Sequence, residues 1–86
     1  LNQLSPIVRK EINMWYNGKN VSNTWTSYHS QNAYAILSGL SGWKKIKTGA
    51  ADGVTNVFIV LNAAKANGRK VNVYIKNNQI EQVTLT

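Results

Sequence analysis

"VTNVFIVLNAAKANGRKVNVYI", from Val54 to Ile75, contains a helix, a glycine stop and a strand. Val54, Val57, Phe58 and Leu61 follow the i, i+3, i+4, i+7 spacing of a core-facing helical stripe. Ile59, Val60, Ala63 and Ala64 widen the apolar surface beyond that stripe. Asp52 can cap the start, so a helix is expected from about Gly53 to Asn67. Gly68 then fits the left-handed position that ends a helix. Val71, Val73 and Ile75 alternate with Asn72, Tyr74 and Lys76, the signature of a half-buried strand.

Downstream, Asn77-Asn78 suits a tight hairpin turn, because Asn tolerates positive φ. In the last strand Ile80 stands on one parity, Val83 and Leu85 on the other. A bulge near Glu81 or Gln82 reconciles them. Upstream, "SPIVRKEINMWY" at 5–16 reads as a first strand, with a short helix after Ser5 as the alternative. "NGKN" at 17–20 follows as a turn, "NTWTSYH" at 23–29 as a second strand and "NAYAILSG" at 32–39 as a third. Residues 40–53 are expected as a glycine-punctuated loop that tucks Trp43 and Ile46 into the core.

The resulting order is three strands, a helix and two strands in a single domain, 1–86. It matches a five-stranded Greek-key barrel of oligonucleotide/oligosaccharide-binding (OB) type, mainly β, with the helix between strands 3 and 4.

A chain of 86 residues without cysteine has no disulfide to staple a small core. It must pack well or oligomerise. The same lack excludes thiolate chemistry and cysteine-ligated metals. Ten Lys and Arg against three acids give a formal charge of +7. That favours phosphate or carboxylate partners, or serves only solubility. No stretch is long and apolar enough to span a membrane, so no membrane insertion is expected.

Catalytic signals are weak. Glu11, Asp52 and Glu81 are far apart, and His29 is the sole histidine. No cofactor, metal site or catalytic residue is expected. Binding signals are better: three Trp and four Tyr are many large rings for this length. Exposed rings stack on bases or sugar faces. Trp15 and Trp25 flank the expected turn and, with Tyr28, are candidate ligand contacts, whereas Tyr34 and Trp43 are assigned to the core.

Phe58, Leu61, Ala63, Gly68, Val71, Val73 and Tyr74 stand in an ungapped helix-to-strand register, and Trp43 precedes the helix. In this pattern the chain resembles the B subunits of pentameric bacterial toxins of the subtilase cytotoxin and typhoid toxin group. "QLSPIVRKEI" is similar to that family's approach to its first strand. The resemblance implies a secreted, non-catalytic subunit that binds a cell-surface glycan, forms a homopentamer and accompanies a catalytic A subunit. It places Ser5 where the family's serine meets sialylated glycans. Asn72 and Ile75 stand where the family can carry a ligand-contacting Arg and Tyr, so Asn72 joins the expected glycan site. Ile59, Val60 and Ala63 become the expected contacts between copies, since exposed apolar patches mark interfaces. The family's disulfide is missing, and the segment after the last strand is short. The alternative reading, from charge and aromatics, is a single-stranded nucleic-acid binder on the same fold.

Overall fold

The structure, a computed structural model, describes residues 12–86; Ser5 and most of the expected first strand lie outside them. Among the described residues, five strands and one helix make a small, mostly β unit. They are β1 (Met14–Thr26), β2 (Ala33–Leu37), β3 (Lys44–Ile46), α1 (Gly53–Asn67), β4 (Lys70–Lys76) and β5 (Gln79–Leu85). The sheet is mixed. β3 and β5 run parallel, and all other pairs are antiparallel.

The order of hydrogen-bonded strands is β1-β2-β3-β5-β4, with β4 pairing in turn with β1. β1 divides its length between two neighbours. Residues 14–20 face β4 and residues 21–26 face β2.

"NGKN" does not form the expected turn. It lies inside β1, so the two strands expected on either side of it are one. Tyr16 pairs with Val73 and Lys19 with Val71, which sets Asn17 and Gly18 together against Asn72. Gly18 takes φ 66° there. The glycine that suggested a turn therefore makes a bulge, which bends a strand without ending it. A second irregularity follows at Ser22, between the Val21–Leu37 and Asn23–Ile36 pairs. Both kinks fall where β1 passes from one partner to the other.

The fifth strand comes instead from the expected loop. Lys44–Ile46 pairs with β2 on one side and β5 on the other. Its alternation corrects one core assignment. Lys44 and Ile46 point inward and are buried, which leaves Trp43 on the outward parity, 46% exposed. Lys44 sits across from Ala35, whose small side chain leaves room for a long one. Its ammonium donates to Asn78 Oδ1 at 2.6 Å.

Tyr34, also expected in the core, is only half-buried and points outward from β2, opposite in phase to Ala33 and Ala35; the core is otherwise the expected one. Ala33, Ala35 and Leu37 of β2 meet Val71, Val73 and Ile75 of β4, with Ile80 and Ile46. The helix occupies the expected span and contributes Val54, Leu61 and Ala64, with Val57 and Phe58 packed partly against them. Thr24 Oγ1 donates to Asn62 Oδ1 at 2.7 Å and ties the helix to β1.

Gly68 ends α1 in the left-handed region at φ 64°. Asp52 occupies the cap position but makes no side-chain cap bond. Its ψ of 13° departs from the extended backbone that aims a capping carboxylate at the first turn. Asn77 and Asn78 both take positive φ in the β4–β5 turn. Tyr74 pairs with Gln82 and Ile75 with Ile80, so Glu81 is the extra residue of the expected bulge.

Candidate functional site

The outer face of β1, β2 and β3 carries the clearest constellation. Register alone builds it: Trp25 pairs with Tyr34, and Tyr34 with Lys45. All three point outward, opposite in phase to buried Ala33, Ala35 and Lys44. The Trp25 and Tyr34 rings lie 5.5 Å apart at 57°, a tilted pair within the favourable range for aromatic contacts. Lys45 Nζ sits 4.6 Å from the Tyr34 ring centroid, within cation–π reach. The same ammonium donates to Asn32 Oδ1 at 3.2 Å.

Trp43 enters from just before β3 and completes a cleft of about 350 Å³ lined by Trp25, Tyr34 and Trp43. Trp25 is 49% exposed, so both indoles offer open ring surface. An aromatic lining with an ammonium beside it can stack on a flat or CH-rich ligand face. It can also attract a negative group. A cleft of this size accepts one or two rings of a ligand, at the small end of the roughly 300–1,000 Å³ typical of binding pockets.

Trp15 lies elsewhere. It shares β1 with Trp25 but belongs to the other ladder, opposite Tyr74, with ring centroids 5.7 Å apart. Ten residues of strand, about 33 Å of extended chain, separate the two indoles along β1. They do not flank a common turn and do not share a site. Asn72 faces outward two residues from Tyr74, and its Oδ1 accepts the Gly18 amide at 2.9 Å. Asn72 thus has a structural role in holding the β1 bulge. Tyr28, in the loop after β1, is 94% exposed, with its ring 4.4 Å from the His29 ring. Ser5 lies outside the described residues.

On α1, Ile59 is 61% exposed, while Val60 and Ala63 are half-buried. Of the expected ligand residues only Trp25 falls in the cleft. Tyr34, Trp43 and Lys45 are its members that sequence reasoning missed. The signal was present in the phase of "GWKKI", but three residues of strand are too few to display alternation.

No family model, curated protein or solved structure matches the chain.

Proposed function

We propose that the chain is a non-catalytic glycan-binding module on an OB-type Greek-key barrel, with the Trp25–Tyr34–Trp43 cleft as its sugar site. The observation that carries this reading is the cleft itself: Trp25 and Tyr34 set side by side by strand register, with the half-exposed Trp43 indole entering from just before β3. The fold part is supported by the pairing order, the parallel β3–β5 contact and the helix between β3 and β4. In such barrels the face of the second and third strands carries the ligand, and the cleft lies there.

The wider reading is a binding subunit of a secreted bacterial toxin. In it, copies form a homopentameric ring that attaches to cell-surface oligosaccharides and accompanies a catalytic subunit. Its support is the resemblance of the helix-to-strand register and the exposed Ile59 beside Val60 and Ala63. A glycan array followed by tryptophan-fluorescence titration tests the sugar site. Saturable binding that Trp25→Ala weakens tenfold or more is expected, about 1.4 kcal/mol. An array without hits removes the reading.

One observation favours a second reading. The charge of +7 and Lys45 beside the rings suit single-stranded nucleic acid, whose bases stack on such platforms. That reading predicts oligonucleotide affinity falling steeply with salt. It fails if no binding is measured at low ionic strength.

A further inference from the structure

A second cavity, of about 370 Å³, lies between the β1–β2 loop and the first turns of α1. We propose that it binds a neutral sugar residue, separately from the aromatic cleft. The inference takes its ligand class from the carbohydrate reading above but rests on a different set of residues.

Among the described residues, the lining of this cavity contains no Lys, Arg, Asp or Glu. In a chain with ten basic residues that is a strong local exception. A phosphate or carboxylate entering it loses water against a wall without a charged side chain among the described residues, since Lys45 Nζ, which bonds Asn32 Oδ1, lies over the Tyr34 ring. A neutral polyol loses only hydroxyl hydration, which neutral donors and acceptors can replace.

Those groups are present. Ser30 and Thr55 line the cavity with hydroxyls that have no hydrogen-bond partner among the described residues. Gln31 Oε1 is committed to the Gly49 amide at 2.7 Å, which leaves its NH₂ as a donor. His29 supplies another donor by a chain of commitments. Ser27 Oγ accepts from the His29 amide at 3.3 Å and from Asn32 Nδ2 at 2.8 Å. With both lone pairs used, its proton goes to His29 Nδ1, 3.0 Å away. In that tautomer the ring carries its proton on Nε2.

The helix side is apolar. Val54, Phe58 and Ile59 line it. A polar wall facing an apolar one matches the two chemistries of a pyranose, with its equatorial hydroxyls and its CH-rich face. The two sites also differ in charge: Lys45 stands over the Tyr34 ring of the cleft, whereas among the described residues no charged side chain lines the cavity, whose Asn32 the Lys45 ammonium bonds.

The test is a ¹⁵N–¹H correlation titration of the whole chain. The probes are methyl β-galactoside, methyl α-mannoside, methyl N-acetyl-β-glucosaminide and the methyl glycoside of N-acetylneuraminic acid. At least one neutral glycoside is expected to shift amides of residues 27–32 and 54–59 saturably, with the sialoside leaving them in place. Ser30→Ala and Thr55→Val, both at exposed positions, are each expected to weaken that binding about tenfold with an unchanged melting temperature. Trp25→Ala is expected to leave it intact. Absence of these shifts with all three neutral probes overturns the inference. So does a sialoside response at the same amides as strong as the neutral one. Shifts confined to the face of Trp25, Tyr34 and Trp43 overturn it while sparing the cleft reading, and shifts confined to the cavity do the reverse.

Discussion

Asn72 Oδ1 accepts the Gly18 amide at 2.9 Å, joining positions 54 residues apart in the chain. The bulge at Asn17–Gly18 takes the Gly18 N–H out of the regular β1–β4 ladder, and the Asn72 side chain replaces the lost partner. Removing the acceptor should destabilise the fold by about 1–2 kcal/mol. Asn72→Ala is therefore expected to lower the urea midpoint, while Asn72→Asp keeps an acceptor and recovers most of the loss. An unchanged midpoint for Asn72→Ala would show that water satisfies Gly18 equally well.

The Lys44–Asn78 contact makes a second prediction, with opposite signs for its two partners. An ammonium buried to 1% exposure has given up its hydration, and the carboxamide oxygen at 2.6 Å replaces part of it. Asn78→Gly deletes that acceptor yet suits the positive φ of 63°. A loss of about 1–3 kcal/mol is expected. Asn78→Ala adds backbone strain and should lose more. Lys44→Met removes the charge with its cost and should be near neutral or stabilising. Chemical denaturation decides the matter. A loss above about 3 kcal/mol for Lys44→Met would mean that the charge itself holds this end of the sheet together.

Much of the fold was legible because periodic elements declare their faces. The stripe through Leu61, the stop at Gly68 and the alternation of Val71, Val73 and Ile75 need only local rules. Even the Glu81 bulge could be read, from a change of parity. β1 was not legible as one strand. Local chemistry permits a turn at Asn17–Gly18, and only Val71 and Val73 across the ladder select a bulge. Trp43 was misplaced for a related reason. Size and hydrophobicity assign an indole to the core, but the pairing of Lys44 with Ala35 sets the phase of β3 and turns Trp43 outward. The cleft depends on that phase, so it could not be seen before the register was known.

The two indoles of β1 should behave differently. Trp25 belongs to the cleft, and Trp15 packs on Tyr74 in the other ladder. With a bound oligosaccharide, emission from Trp25 and Trp43 is expected to shift and that of Trp15 to stay constant. Single-tryptophan variants with Phe at the other positions measure this. An equal response from Trp15 would move the site to the β1–β4 face.

Ile59 tests assembly. At 61% exposure it contributes little to the core of one copy, so Ile59→Glu should change the folding free energy of a single copy by about 0.5 kcal/mol or less. A charge at a subunit contact is far more disruptive than one facing water. The expected result by light scattering is a ring for the parent and a monomer for the variant. A parent chain that is monomeric at about 100 µM leaves the ring without support.

The divided loyalty of β1 also has a kinetic meaning. β4 and β5 are joined by a two-residue turn, and β1 reaches β2 across one short loop, so both pairings close cheaply. The pairing of β1 with β4 spans the helix and most of the chain, and its loop-closure entropy is the largest in the molecule. That seam should zip last, after the folding barrier. Asn72→Ala would then speed unfolding and leave the folding rate almost untouched, a φ-value near zero in a chevron experiment.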